Sequence, residues 1–133
     1  PKPPSAILSG LVGSEMCIRD RNIRDYIHVM DLAEAHVVAL ERVIEGKSND
    51  AYEVFNLGTG IGSSVLEVIQ SFERISGKKL PYKIGARREG DVIAAYADTT
   101  KANNILCWKT KRSLDEAVAS AWEWEKKVMK FLK

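Results

Sequence analysis

The stretch that decides the fold is RDYIHVMDLAEAH, residues 24–36. Its first half mixes aromatic and β-branched residues, which favours a short extended segment over residues 24–29. Its second half begins a helix, for which Asp31 can act as the N-cap, Glu34 occupies the third helical position and Gly46 marks the end. Helical spacing predicts the face that packs inward, formed by Leu32, His36, Ala39, Leu40 and Val43.

The segment that follows predicts a strand and a second helix. Residues 53–57 (EVFNL) have the composition of a short strand, which ends at the glycines of GTGIG. Ser64 and Glu67 form a Ser-x-x-Glu capping box, and Gly77 ends the helix that they begin. The inward face of this helix is predicted to contain Val65, Val68, Ile69, Phe72 and Ile75.

The last third of the chain predicts an edge strand and two more helices. Residues 81–84 suggest the edge strand, because the leading proline cannot donate to a ladder. Asp98 can cap a short helix to Leu106, and Ser113 with Glu116 opens the final helix. That helix is predicted to turn these residues inward: Leu114, Val118, Ala121, Trp124 and Val128. The fold class is therefore α/β, mostly helices with a few short strands, which need a larger sheet to be stable.

Composition restricts the class of protein. The chain has 133 residues, of which 45% are hydrophobic and 29% charged, as in a soluble globular domain. A formal charge of +2 gives no general basic surface for nucleic acid. No apolar run approaches the ~20 residues that span a bilayer. Cys17 and Cys107 form no CxxC unit, which favours a reducing, cytoplasmic location; Cys107, beside Trp108, is predicted to lie in the core.

The first 21 residues differ in character from the rest. Prolines at the front oppose a regular element, and no helical or strand period follows them. Residues 11–21 resemble a translated sequencing adapter, which would give the segment no evolved function; the alternative is a short natural tail. We expect residues 1–21 to be a non-native tail and residues 22–133 to be the folded unit.

Four segments carry the chemical information: RDYIHVMDLAEAH (24–36), FNLGTGIGSSV (55–65), ARREGD (86–91) and LDEAVASAWEW (114–124). Together, and in this order, they resemble the C-terminal, substrate-binding part of UDP-glucose (UDP-galactose) 4-epimerase, an extended short-chain dehydrogenase/reductase with a Rossmann-type NAD(P)-binding domain. The similarity runs from about residue 22 to about residue 126.

The resemblance implies a set of residues that bind UDP. Arg24 and Arg88 match the positions that bind the diphosphate, for which a planar guanidinium is well suited. Asp91 matches the aspartate that accepts hydrogen bonds from the ribose, and Tyr26 and Val65 match residues that line the nucleotide pocket. Without the resemblance, the arginines would be surface ion-pair partners, Asp91 a turn residue, and Tyr26 and Val65 core residues.

The resemblance also implies which sugars fit. The residue four places after the REGD aspartate borders the pocket around the C2 substituent of the sugar, and here that residue is Ala95. A small side chain leaves room for an N-acetyl group. We therefore expect the intact enzyme to accept UDP-GlcNAc and UDP-GalNAc as well as UDP-glucose and UDP-galactose.

The glycine run at residues 58–62 imitates a dinucleotide loop without matching it. Ser63 stands where GxGxxG requires its third glycine, so we interpret the run as a turn beside the nucleotide. His28 and His36 lie eight residues apart with no further ligand at metal-site spacing, which predicts no metal site. No cofactor-binding residue is predicted in this chain.

The family's catalytic Tyr-x-x-x-Lys pair does not occur. The residues four places after the tyrosines are Met30, Asn56, Ala86 and Thr100. The resemblance implies hydride transfer between NAD and the sugar, with NAD bound by an N-terminal domain outside this chain. We expect no catalytic residue here, no activity from the chain alone and a homodimeric intact enzyme. The alternatives are another sugar-nucleotide enzyme of the class, such as a dehydratase or decarboxylase, or a noncatalytic nucleotide-binding module.

Overall fold

Short strands form two small sheets in this chain. A computed structural model describes residues 16–18 (backbone only), 22–48, 50–85 and 92–131. Strand β1 (Met16–Ile18) lies within the segment for which we predict no regular element. The other strands in these ranges are β2 (Ile23–Arg24), β3 (Ser63–Ser64), β4 (Tyr82–Ile84) and β5 (Ala94–Ala95). Strand β4 pairs in parallel with β1, and the remaining three form a sheet with the order β3-β2-β5.

Helix α1 (Val29–Ile44) begins earlier than the sequence suggests. Its N-cap is His28, whose Nδ1 accepts a hydrogen bond from the Met30 amide at 3.0 Å, so the expected Asp31 cap is wrong. Asp31 lies inside the first turn and is fully buried. Its carboxylate accepts hydrogen bonds from the backbone amides of Lys111 and Arg112 and from the Arg112 guanidinium, at 3.2, 3.0 and 2.5 Å.

The inward face of α1 also differs from the expected one. Ala35 is buried and Val38 packs against the core, whereas His36, Leu40 and Val43 are exposed. The buried Asp31 rotates the helix so that positions 31, 35 and 38 face inward at helical spacing. The end agrees with expectation, since Gly46 follows the helix with a φ of 65°, a left-handed conformation that glycine adopts without strain.

The segment at residues 53–57 forms no strand. Among the described residues, side chains rather than a backbone ladder hold it: Glu53 makes a two-pronged ion pair with Arg42, at 2.8 and 3.1 Å. Lys101 donates to the Val54 carbonyl at 2.9 Å and lies 4.8 Å from the centre of the Phe55 ring. A strand forms only where a neighbouring strand provides backbone hydrogen-bond partners. The local sequence pattern at residues 53–57 was therefore not enough to predict a strand.

One hydrophobic core joins α1 to helix α3 (Thr100–Ile105) and the loop after it. Ala35, Ala102, Leu106 and Trp108 are its buried members, with Phe55 and others around them. The N-cap of α3 is Thr99, which makes no side-chain capping bond, so the expected Asp98 cap is wrong; Asp98 instead accepts a hydrogen bond from the Thr100 amide at 3.0 Å. Cys107 is exposed with a φ of 52°, so its predicted place in the core is wrong.

A second packing interface joins helices α2 (Val65–Ser76) and α4 (Leu114–Phe131). Both helices begin with the expected capping boxes, Ser64–Glu67 and Ser113–Glu116. Ile69 and Phe72 are buried as predicted. The inward tryptophan of α4 is Trp122, whose ring meets that of Phe72 edge-on at 5.3 Å. Trp124 is 67% exposed, and Ala121 is exposed too, which corrects the predicted face.

Candidate functional site

The three-stranded sheet brings together residues that the sequence places far apart. Strand β2 is central: Arg24 pairs with Ser63 of β3 in antiparallel fashion and with Ala95 of β5 in parallel. Val65 follows β3 directly as the first residue of α2. Of the six expected site residues, the sheet therefore brings Arg24, Val65 and Ala95 into one neighbourhood, with Tyr26 two residues beyond Arg24. Arg88 and Asp91 lie outside the described residues.

Arg24 links the sheet to the chain that follows the REGD motif. Its Nη1 donates hydrogen bonds to the carbonyl of Ile23, at 2.7 Å, and to the carbonyl of Val92, at 3.1 Å. Val92 is the residue immediately after Asp91. The arginine proposed for the diphosphate thus donates a hydrogen bond to the residue that directly follows, in the sequence, the aspartate proposed for the ribose.

Tyr26 occupies a half-buried position beside this arginine. Burial raises the pKa of its hydroxyl above the ordinary value, and the positive charge of Arg24 opposes this rise without cancelling it. Tyr26 therefore remains a neutral hydroxyl near neutral pH, able to donate one hydrogen bond and accept others. A neutral aromatic ring suits the lining of a pocket rather than proton abstraction.

Asp25 was not among the site residues expected from the sequence. One of its oxygens accepts hydrogen bonds from the amide and hydroxyl of Thr59, at 2.9 and 2.6 Å. The other accepts from the amides of Gly60 and Ala97, at 3.1 and 3.2 Å. Burial alone would raise the pKa of Asp25, but these hydrogen bonds outweigh it and hold the pKa below its ordinary value. The donors lie 34 to 72 residues away, so no local pattern could reveal this role.

The glycine run at residues 58–62 closes around that carboxylate. A Cβ on Gly58 would stand 2.3 Å from Oδ2 of Asp25, so this glycine is required by the close approach of the aspartate. A dinucleotide loop would offer its amides to a pyrophosphate. The amides of Thr59 and Gly60 instead donate to Asp25, and the run therefore does not fit NAD.

Two other features of the described residues carry no chemistry of their own. An open cavity of about 520 Å³ lies between α1 and residues 107–111, where the buried indole N–H of Trp108 has no partner among the described residues. His28 and His36 bond to neighbouring backbone groups, at Met30 and Leu32. No group of three or more metal-ligating side chains occurs in the part of the chain that the structure describes.

None of the helices in the described ranges is both long and apolar enough to cross a bilayer.

Sequence comparison shows the family of the chain. The family model described as GDP-mannose 4,6 dehydratase matches residues 4–121, more than half of the chain. A UDP-glucose 4-epimerase from Bacillus subtilis (strain 168) is 52% identical over 103 residues, which are 77% of this chain and 30% of that relative. The chain thus spans about a third of the length of the curated relatives that it matches. The family match includes residues 4–21, so the adapter origin of that segment stays a prediction.

Solved structures agree with the family assignment. A UDP-glucose 4-epimerase from Bifidobacterium longum, in complex with NAD+ and UDP, superposes with a TM-score of 0.75 at 39% identity, over 86% of this chain and 36% of that one. The enzyme from Stenotrophomonas maltophila, with bound NAD and formylated UDP-arabinopyranose, gives 0.83 at 33% identity, over 96% and 41%.

These findings confirm two predictions from the sequence. The α/β fold of an extended short-chain dehydrogenase/reductase is confirmed by the structural matches, and the resemblance to UDP-glucose 4-epimerase is confirmed by identities near one half. The chain therefore belongs to the family described as GDP-mannose 4,6 dehydratase, and its homologues include UDP-glucose 4-epimerases.

Proposed function

We propose that this chain is the UDP-binding part of a UDP-glucose 4-epimerase, which interconverts UDP-glucose and UDP-galactose. The observation that supports it is the three-stranded sheet, in which Arg24 pairs with Ala95 and reaches the carbonyl of Val92, next to Asp91. In this proposal Arg24 and Arg88 bind the diphosphate, Asp91 the ribose, and Tyr26 and Val65 line the nucleotide pocket. Guanidinium groups are the preferred partners of a diphosphate because they are planar and permanently charged.

Identity favours an epimerase over a dehydratase. The family model is described as a dehydratase, but relatives between 44% and 52% identical are UDP-glucose 4-epimerases. Specificity depends on a few pocket residues, which diverge readily between enzymes of one fold. Identities of 44% to 52% over 77% to 88% of this chain therefore support the epimerase.

In this proposal the chain contributes substrate binding rather than catalytic residues. In its sequence, no tyrosine is followed by a lysine at the fourth position, and the glycine turn binds Asp25 instead of a dinucleotide. NAD, which would supply the hydride chemistry, is assigned to the rest of a longer enzyme. Binding energy from the remote UDP would hold the sugar nucleotide through the reaction, so that the sugar itself can be held loosely.

The test is a hybrid enzyme, in which this chain from residue 22 onward replaces the matching part of the Bacillus subtilis relative. We expect the hybrid to interconvert UDP-glucose and UDP-galactose, and this chain alone to show no turnover. A matched hybrid with Arg88→Gln should fold and lose most activity at low substrate concentration. A folded parent hybrid that is inactive with these sugars, yet turns over GDP-mannose, would assign the chain to a dehydratase.

Three finer statements belong to the same proposal. The small side chain of Ala95 supports acceptance of UDP-GlcNAc and UDP-GalNAc. A homodimeric intact enzyme and a cytoplasmic location stay predictions from the sequence, the second supported by two cysteines without a CxxC unit.

A further inference from the structure

We propose that Asp25 is a positioning residue for nucleotide binding: its carboxylate holds the turn at residues 58–60 and the segment just after β5 in place beside Arg24. This inference rests on the proposed function, since the ligand it concerns is UDP. It adds a residue that contacts no substrate in the proposal and acts through its neighbours.

The contacts of Asp25 are unusually complete for a half-buried carboxylate. Four hydrogen bonds reach its two oxygens, and all four donors are neutral groups on two separate segments. Three of these donors are backbone amides, whose directions are fixed by the chain. A flexible lysine would satisfy the same charge in many geometries, whereas fixed amides define one position.

Each segment that Asp25 binds leads directly to a proposed UDP contact. Arg24 and Tyr26 are its covalent neighbours in the chain. Ala97 lies two residues after Ala95, and the turn at residues 58–60 leads into β3 and Val65. Loss of the carboxylate would therefore release three segments of the pocket at once, and displacements near 1 Å are sufficient to weaken binding.

The packing around the carboxylate leaves no room for adjustment. A Cβ at Gly58 would stand 2.3 Å from Oδ2 of Asp25 and 2.7 Å from the Cβ of Ala97. The turn thus approaches both the aspartate and the segment after β5 as closely as a glycine allows. This close packing fixes the relative position of the three segments.

A purely structural role is the competing explanation, and the chain offers a control for it. Asp115 also joins separate elements, since it accepts hydrogen bonds from Ser71 and Arg74 across the interface of α2 and α4. It lies outside the three-stranded sheet. Asp115→Asn should therefore weaken the contacts between α2 and α4 without moving the proposed UDP contacts.

The experiment measures UDP binding to the hybrid enzyme by calorimetry, together with amide NMR spectra. Asp25→Asn should weaken UDP binding by about tenfold or more and shift the amide resonances of Thr59, Gly60 and Ala97. Asp115→Asn should change the affinity by less than about twofold. Equal effects of the two substitutions, or unchanged affinity in a folded Asp25→Asn hybrid, would overturn the inference alone.

A second pair of variants keeps the test decisive if Asp25→Asn does not fold. Thr59→Val removes the hydroxyl that donates at 2.6 Å but keeps the amide, and Thr59→Ser keeps both. We expect a loss of a few-fold in UDP affinity for valine and wild-type affinity for serine. Equal affinities would contradict the positioning role. Failure of the folded parent hybrid to bind UDP would overturn the proposed function and, with it, this inference.

Discussion

Arg24 and Ala95 face each other as backbone partners of the parallel pair β2–β5. Neighbouring strands lie about 4.8 Å apart, so the residue proposed for the diphosphate and the residue proposed to border the sugar share one side of the site. The guanidinium also extends to the Val92 carbonyl, at the start of the segment that leads to Ala95. We therefore expect a substitution at position 95 to act within reach of the proposed UDP-sugar ligand.

Replacement of Ala95 tests the sugar preference. In the hybrid enzyme, Ala95→Tyr should lower kcat/KM for UDP-GlcNAc by about tenfold or more relative to UDP-glucose, because the ring fills the space of the N-acetyl group. Ala94→Tyr is the matched control, since successive residues of a strand point to opposite faces. A coupled assay of both substrate pairs measures the ratio, and an equal fall for both pairs would refute the role of Ala95.

The ARREGD segment (86–91) offers a pair of adjacent arginines, Arg87 and Arg88. Arg88→Gln should weaken UDP binding by about tenfold, since it removes a charged, two-pronged donor from the diphosphate. Arg87→Gln changes the net charge by the same amount and should cost less than about twofold. Calorimetric titration with UDP compares the two, and a similar loss for both would indicate general attraction of an anion rather than a specific contact.

The buried Asp31 predicts a pH-dependent stability. Burial alone would raise its pKa, but the amides and guanidinium around it outweigh this effect and hold the pKa below its ordinary value. A carboxyl whose pKa is lower in the folded state stabilises the fold above the unfolded pKa, and this contribution is lost as the pH falls through the folded pKa. The stabilisation should therefore be present above about pH 4 and be lost progressively as the pH falls below that value.

Asp31→Asn isolates this contribution. The variant should be less stable than the wild type by about 2 kcal/mol near neutral pH, because an amide cannot accept all three hydrogen bonds. The difference should shrink in acid, as the wild-type carboxyl becomes protonated. Urea unfolding at a series of pH values measures it, with the exposed Asp50→Asn as control. A difference that is independent of pH would show that the charge of Asp31 plays no part.

The two neighbouring tryptophans of α4 predict very different costs. Trp122→Ala should lower the free energy of unfolding by about 3 kcal/mol, because it removes the edge-on contact with Phe72. Trp124→Ala, at a side chain that is 67% exposed, should stay within about 0.5 kcal/mol. Thermal or urea unfolding of the two variants gives the comparison. Similar costs would mean that the inward face of α4 had been assigned to the wrong side.

Local signals explain which parts of the fold could be predicted. The capping boxes at Ser64 and Ser113 involve partners three residues away, and both are present as expected. The inward face of α1 depends on Asp31, whose partner Arg112 is 81 residues distant, and the strand expected at residues 53–57 depends on a ladder partner. Neither dependence is written in the local sequence.

The candidate site divides in the same way. Arg24, Val65 and Ala95 could be found because short motifs resemble those of a known family, and the sheet brings them together. The sequence did not reveal the contacts of Asp25, because its hydrogen-bond donors lie in segments that become adjacent only in the folded chain. The close approach of Gly58 to this carboxylate is likewise visible only in the structure.

The separation between Asp31 and Arg112 also matters while the protein is being synthesised. A ribosome produces the carboxylate 81 residues before the guanidinium and amide that satisfy it. Until the later segment leaves the exit tunnel, the first turn of α1 has no means of burying its charge, and this end of the helix stays in water. Docking of α1 is therefore tied to the arrival of residues 111 and 112, which makes this contact a late step in cotranslational folding.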